Sequence, residues 1–302
     1  MQTIQNEIRR HLPRSGEARR LFHGRGQTFE GYADLTIDSF APVVLVVLYR
    51  ERSQKWLDEL TELLLAELPE TEAVLLQERC RAGAPSRLLW GTLPETVEAL
   101  EEGLRYRLRL GEAQNIGFFP DMAAGRRLVR ERAEGKRVLN LFAYSCSFSV
   151  AALAGGAQQV VNLDMNRGAL ELGRLNHRIN GLDPRRASFL SLELFRSFGR
   201  LRRLGPFDLV VCDPPATQGK SFTAESHWPK LVRRLPELLS GEGEVLACLS
   251  TPHLLPAFLD GLFAELVPRA RLLGSHDAGP GFPEARPGQG LAIQHYRLGK
   301  PA

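Results

Sequence analysis

Three acids in the second half of the chain stand where short apolar runs stop. Asp164 closes Asn162-Leu163-Asp164, Glu193 follows Leu190-Ser191-Leu192, and Asp213 follows Val210-Val211-Cys212 and opens Asp213-Pro214-Pro215. A carboxylate at the tip of a buried strand can accept hydrogen bonds from both hydroxyls of a ribose. Two consecutive prolines fix φ and remove N–H donors, so the Asp213 carboxylate and nearby carbonyls can face a planar base as acceptors. Upstream, Arg137-Val-Leu-Asn-Leu-Phe-Ala-Tyr-Ser-Cys-Ser-Phe-Ser-Val150 is an apolar run that ends in small and polar residues before a helical pattern, where a ligand can approach backbone. The plainer alternatives are a helix N-cap for Asp164 and a first-turn acid beside the helix dipole for Glu193.

These residues need a frame that brings strand ends together. After residue 120, short continuous apolar runs alternate with helical patterns, the signature of a buried parallel sheet. Strands are expected at Arg137–Phe142, Gln159–Leu163, Ala187–Leu190, Phe207–Cys212, Glu244–Leu249, Ala270–Leu273 and Leu291–Arg297. Helices are expected at Met122–Arg132, Phe148–Ala154, Arg167–Asn180, Leu192–Leu201, His227–Leu239 and Leu254–Leu266. The fold class is therefore α/β, a doubly wound seven-stranded Rossmann-like sheet over residues 111–302, with ligands at the carboxyl ends of its strands. Residues 1–110 read as a small α+β module: a strand-like stretch from Leu35 to Tyr49, a helix through Trp56, Leu60 and Leu64, a strand at Ala73–Gln77, and Leu104–Leu110 alternating apolar and basic residues.

Composition narrows the function classes. The chain has 302 residues, 43% hydrophobic and 25% charged, enough for a substantial core. The longest apolar run, Ser39 to Tyr49, is interrupted by Pro42 and too short for a span of about 20 residues. The first residues carry an acid and no apolar signal core, so a cytoplasmic location is expected. Cys80, Cys146, Cys212 and Cys248 lie far apart, and the histidines show no metal-ligand spacing; neither a disulfide frame nor a metal site is expected. A net charge of +4 suits a polyanionic partner, and the clusters Arg9/Arg10/Arg14/Arg19/Arg20/Arg25 and Arg126/Arg127/Arg130/Arg132/Lys136/Arg137 can contact phosphates or form solvated helix faces.

Taken together, the chain resembles the class I S-adenosylmethionine-dependent methyltransferases, and within them the bacterial 23S rRNA large-subunit methyltransferases of the I and K types. The resemblance rests on His23-Gly-Arg-Gly, Leu35-Thr-Ile-Asp38, Glu102-Gly-Leu-Arg105, Ala113-Gln-Asn-Ile-Gly-Phe-Phe-Pro-Asp121, Val138-Leu-Asn-Leu-Phe-Ala-Tyr144, Gly155-Gly-Ala157, Asn180-Gly-Leu182 and Asp213-Pro-Pro215. It implies S-adenosyl-L-methionine as cofactor. Asp164 would hold the ribose hydroxyls and Glu193 would accept from the adenine amino group, with Met165 and Leu194 also binding the cofactor; Phe142, Ala143, Tyr144, Ser145 and Cys146 would lie along the methionine part. Gln114, Asn115, Phe118 and Asp121 would close the pocket. Asp213, Pro214 and Pro215 would present the substrate base. Lys220 and Phe222 are expected to take the phosphate and stacking roles, with an ordinary surface loop as the alternative.

Two departures from the family pattern stand out. Ser145-Cys146-Ser147 replaces Thr-Gly-Gly or Thr-Gly-Thr, and a side chain at Cys146 is accommodated if φ there is negative. The N-terminal PUA module of type I members is expected to be lacking. The resemblance implies RNA as partner, most simply large-subunit rRNA held with help from the small module, and leaves the oligomeric state open, a homodimer included. Guanine is favoured over cytosine C5 chemistry, because C5 attack needs a cysteine thiolate and Ser250 stands where that thiol is expected. A protein or small-molecule methyltransferase and a non-catalytic RNA-binding module are the other readings.

Overall fold

The computed structural model describes residues 1–12, 16–112, 114–218, 221–251 and 253–299. Two compact units emerge, one of Met1–Asp121 with Gly279–Arg286, the other of Met122–Ala278 with Pro287–Ala302. The first thus runs past the boundary at 110 drawn from the sequence pattern.

In the first unit, a five-stranded sheet has the order β1-β2-β3-β4-β5, with β1 (Arg19–His23), β2 (Leu35–Phe40), β3 (Val43–Leu48), β4 (Ala73–Glu78) and β5 (Ser86–Gly91). The stretch from Leu35 to Tyr49 is a hairpin of two strands rather than one, because Pro42 interrupts the run and cannot donate to a ladder. Helices α1 (Gln2–Arg10) and α2 (Gln54–Glu67) bury Ile4 and Ile8, and Leu57, Leu60 and Leu64, against that sheet. A small hairpin, β6 (Glu98–Glu101) with β7 (Leu104–Arg107), uses the apolar/basic alternation as expected: Tyr106 is buried while Arg105 and Arg107 pair with Glu98. His23-Gly-Arg-Gly also acquires a reason. A Cβ at Gly26 would fall 1.9 Å from the Pro283 carbonyl oxygen, and Ala285 N–H donates to the Gly26 carbonyl at 2.7 Å, so only glycine admits the 279–286 segment there.

The second unit is built on a seven-stranded sheet of order β10-β9-β8-β11-β14-β16-β15. Its elements are α3 (Ala123–Arg132), β8 (Arg137–Leu141), α4 (Ser147–Ala154), β9 (Gln159–Asp164), α5 (Arg167–Ile179), β10 (Ala187–Ser191), α6 (Leu194–Leu204), β11 (Phe207–Cys212), the two-residue strands β12 (Thr217–Gln218) and β13 (Phe222–Thr223), α7 (Ala224–Arg234), β14 (Leu239–Leu249), α8 (Pro256–Leu266), β15 (Ala270–Asp277) and β16 (Ala292–Leu298). β10, β9, β8, β11 and β14 run parallel, and β16 is antiparallel to both its neighbours. The chain winds outward from β8 through β9 to β10, then returns to place β11 on the other side of β8. That reversal is the switch point at which doubly wound sheets bind ligands.

Two helices, α6 and α7, depart most from their expected bounds. α6 begins at Leu194 because Glu193 is its N-cap. α7 begins at Ala224 and stops at Arg234, where Pro236 supplies no helical N–H donor and the chain passes into a short 3-10 turn, Leu235–Glu237. Trp228, Leu231 and Val232 of α7 bury fully against the sheet, each such side chain contributing about 1.5–3 kcal/mol. Among the described residues no helix is long and apolar enough to cross a membrane.

Candidate cofactor site at the carboxyl ends of the sheet

The loop leaving β8 is held in an uncommon shape. Phe142, Tyr144 and Cys146 all have positive φ, at 57°, 46° and 61°. For residues other than glycine such conformations cost about 1–3 kcal/mol each and persist only where the surroundings impose them. Here they do. Ala143 N–H donates to the Leu163 carbonyl at 3.0 Å, Cys146 N–H to the Ala143 carbonyl at 2.7 Å, and Asn176 Nδ2 to the Ser145 carbonyl at 3.0 Å. Tyr144 N–H donates to Asp164 Oδ2 at 2.8 Å.

The condition set for Cys146 from the sequence, a negative φ, is not met. The thiol fits for a different reason: it is fully buried beside Ala143 and Leu170, over Gly173 of α5. Burial and the neighbouring Asp164 charge hold it well above the usual thiol range, so it stays protonated.

Beneath the loop runs a buried polar chain. Asn140 Nδ2 donates to Asn162 Oδ1 (2.9 Å), Asn162 Nδ2 to Ser149 Oγ (3.0 Å), and Ser149 meets His177 Nε2 at 2.9 Å. His177 Nδ1 lies 2.7 Å from the Gly173 carbonyl, which can only accept, so Nδ1 carries the ring hydrogen and the Ser149 hydroxyl donates to Nε2. Desolvation lowers the pKa of His177 and keeps it neutral. The sequence carried a signal for this network: the buried face of α5, Ala169, Leu170, Leu172, Gly173, Asn176 and His177, includes two polar residues at core spacing.

Asp164 is fixed from both sides. Oδ1 accepts Asn166 N–H at 2.7 Å and Oδ2 the Tyr144 N–H. The cap of α5 is Asn166, which accepts Ala169 N–H at 3.1 Å, so Asp164 does not serve as that cap. Burial raises the Asp164 pKa in spite of those donors. Each oxygen keeps lone-pair capacity for a further donor.

Glu193 does take the capping role, accepting Phe195 N–H at 3.0 Å and Arg196 N–H at 2.8 Å. It also lines a narrow cleft walled by Phe142, Met165, Leu192, Leu194, Phe195 and Phe222, with Asp164 and Glu193 as its carboxylates. Leu192, Phe195, Gln218 and Ser221 were not singled out from the sequence. They follow strand ends or sit in a turn and carry no motif of their own. Met165, 46% exposed, offers its thioether to any flat group entering the cleft.

A family model described as S-adenosylmethionine-dependent methyltransferase matches residues 19–297. The chain belongs to that family. The methyltransferase is 30% identical over 259 residues to the ribosomal RNA large subunit methyltransferase I of Aeromonas hydrophila, covering 82% of this chain and 64% of that protein. A similarly named protein of Shewanella amazonensis is 28% identical over 279 residues, 86% of this chain and 70% of its own length. The fold matches a crystal structure of a protein complexed with SAH, at TM-score 0.87 and 23% identity, covering 98% of this chain and 81% of that one. It also matches a tRNA m1G37 methyltransferase of M. jannaschii, at TM-score 0.64 and 18% identity, over 88% and 72% of the two chains. The methyltransferase thus spans 64% of the length of the Aeromonas relative.

The cleft suits the family's cofactor, S-adenosyl-L-methionine, on its own chemistry. Adenine is flat and apolar-faced with donor groups at one edge, and the ribose presents two hydroxyls; the cleft offers apolar walls and one fixed carboxylate for each. Among the described residues no group of His, Cys, Asp or Glu is placed to hold a metal ion.

Other expected site residues are placed as follows. Asp213 is half-buried, Pro214 buried and Pro215 exposed, directly after β11. Cys212 is buried, with burial and Asp213 raising its pKa, and Cys248 is buried among Leu246, Val211 and Ile293. Phe222 presents no free face for a base: it is 1% exposed, edge-on to Phe142 at 4.9 Å and near His227 at 5.5 Å. The apolar signal there reports the core instead of a stacking platform. Lys220 lies outside the described residues.

Gln114, Asn115, Phe118 and Asp121 belong to the first unit. There Arg79 donates to the Gln114 carbonyl at 2.6 Å and reaches Asn115 Oδ1 at 3.5 Å, Phe118 stacks on Tyr106 at 4.9 Å, and Asp121 interacts with the charge of Arg20.

Proposed function

We propose that the chain transfers the methyl group of S-adenosyl-L-methionine to a nucleobase of large-subunit ribosomal RNA, with guanine as the base. The observation that carries the cofactor half is the fixed Asp164 carboxylate between two backbone N–H donors at the tip of β9, with the apolar cleft beside it. The naming of the Aeromonas and Shewanella relatives as ribosomal RNA large subunit methyltransferases supports the substrate half.

In this reading Asp164 and Met165 hold the ribose, Glu193 and Leu194 the adenine edge, and the loop Phe142 to Cys146 the amino-acid end. The first unit, which includes residues 1–110, helps to hold RNA. The bound cofactor supplies a sulfonium-activated methyl group. The chain's own contribution is alignment: displacement at a methyl carbon needs the acceptor lone pair in line, and positioning can supply about 7–11 kcal/mol of such a barrier.

Asp213-Pro214-Pro215 then orients the base. A carboxylate matches the adjacent N1–H and N2–H donors of guanine better than the single amino donor of cytosine. C5 methylation of cytosine needs a thiolate, and the cysteines of the second unit, Cys146, Cys212 and Cys248, are all buried, the first two with raised pKa. The test is transfer of labelled methyl from S-adenosyl-L-methionine to purified large-subunit rRNA, tRNA and total protein in parallel. The reading requires label in the rRNA; label confined to protein or small molecules, or no transfer at all, rejects it.

A further inference from the structure

Beside the cleft, helices α6 and α7 each turn a basic face outward. α6 buries Leu194, Ser197, Phe198 and Leu201, which leaves Arg196, Arg200 and Arg203, spaced i, i+4 and i+7, in solvent. α7 buries Trp228, Leu231 and Val232 and presents His227, Lys230 and Arg233 at three-residue spacing. Between them opens a groove of about 400 Å³, lined by Phe195, His227, Lys230, Arg233 and Arg234 and by no acid. Phe195 lines both this groove and the cleft at Asp164, so the two adjoin.

The charges of this face are only partly compensated. Glu237 pairs with Arg234 at 3.0 Å and with Arg202 at 3.5 Å. Arg196, Arg200, Arg203, Lys230 and Arg233 form no ion pair with any carboxylate of the described residues. Holding five like charges on adjoining helix faces is unfavourable in the free protein and becomes favourable on meeting a polyanion. His227 is tied to the start of α7, its Nδ1 lying 3.0 Å from Thr223 N and 3.2 Å from both the Thr223 hydroxyl and carbonyl.

We propose that this groove seats the RNA sugar–phosphate backbone flanking the target nucleotide. Lys230 and Arg233 neutralise phosphates, and the Phe195–His227 pair, with ring centroids 5.5 Å apart, forms the groove wall. The occupant is a nucleic acid and not a lipid surface, because membrane-binding helices need an apolar face beside the basic one, and the apolar faces of α6 and α7 are buried in the core. The inference rests on the RNA reading above and adds where the chain is gripped.

The experiment compares the full chain with Lys230→Ala/Arg233→Ala, both surface positions, using a short single-stranded RNA of mixed sequence at several salt concentrations. Thermal unfolding checks that the variant is folded. The expected result is an affinity loss on the order of 10–100-fold, and a log–log salt slope shallower by about 1.4, since each single-strand phosphate contact contributes about 0.7. Unchanged affinity and slope, no RNA binding by the wild type, or binding of both proteins to phosphatidylglycerol vesicles in place of RNA overturns the groove. A wild type that binds RNA in this salt-dependent way but methylates no rRNA overturns the proposed function and leaves the groove standing. A wild type that methylates rRNA, with a variant unchanged in RNA binding, does the reverse.

Discussion

The sulfur of Cys146 occupies the space that Gly173 leaves open: a Cβ built on Gly173 would stand 2.4 Å from Sγ and 3.0 Å from the Cys146 Cβ. The two residues are neighbours only because the loop after β8 lies across α5. Glycine on the helix is thus the counterpart of cysteine on the loop.

Gly173→Ala therefore forces the loop that carries Tyr144 and Ser145. We expect a loss of about 1–3 kcal/mol in stability, the range for overpacking, together with weaker cofactor binding. Cys146→Gly in the same chain should restore both, and a double-mutant cycle should show coupling of about 0.5–3 kcal/mol. Additive effects in denaturant unfolding would mean the loop is not packed this way.

Asp164→Ala should weaken S-adenosyl-L-methionine binding on the order of 10–100-fold in calorimetry, since hydrogen bonds to charged groups contribute about 1.5–3 kcal/mol. The raised pKa sets the pH response. A raised carboxyl favours the neutral form in the fold, so its stabilising contribution is present below the ordinary value of 3.8 and is lost as pH rises through the raised folded value. Cofactor affinity follows the ionised form and should fall on acidification sooner than an ordinary aspartate predicts. An affinity flat in pH down to 3.8, or unaltered by the substitution, would place the ribose elsewhere.

How much of this was readable beforehand differs by residue. Asp164 and Asp213 could be located at strand ends because a parallel strand leaves a short apolar run that ends abruptly. Glu193 could not be divided between a first-turn acid and a ligand, since both roles put an acid at the same strand–helix junction, and the structure makes it the cap of α6. Phe222 and Cys146 were misjudged for a shared reason: which way a side chain points from a loop depends on backbone φ and on distant neighbours such as Gly173 and Phe142. The hairpin at Pro42 and the gap filled at Gly26 likewise depend on pairings remote in sequence.

Phe222→Ala removes a core side chain. It should cost about 3–5 kcal/mol in unfolding experiments, the range for Phe→Ala in a packed interior. A variant of wild-type stability that loses only RNA affinity would return Phe222 to the stacking role.

His23 in the first unit supplies a pH signature of its own. Its Nδ1 lies 2.6 Å from Arg20 and its Nε2 3.5 Å from Glu284; burial first, then the charges of Arg20 and Arg25, lowers its pKa to about 3. The ring is therefore neutral. A lowered histidine stabilises the fold above its unfolded value of 6.5, and the contribution is lost as pH falls from there towards about 3, by up to about 1.4 kcal/mol per pH unit. His23→Gln should flatten that part of the stability–pH curve relative to wild type; identical slopes would show that His23 is not held neutral.

The most direct test of the central claim is nucleoside mass spectrometry of unmodified large-subunit rRNA after incubation with the protein and S-adenosyl-L-methionine. A single new methylguanosine with wild type, absent with Asp164→Ala, is the predicted result. A new 5-methylcytidine would contradict the base and its chemistry, and an unchanged nucleoside profile would contradict the rRNA methyltransferase reading itself.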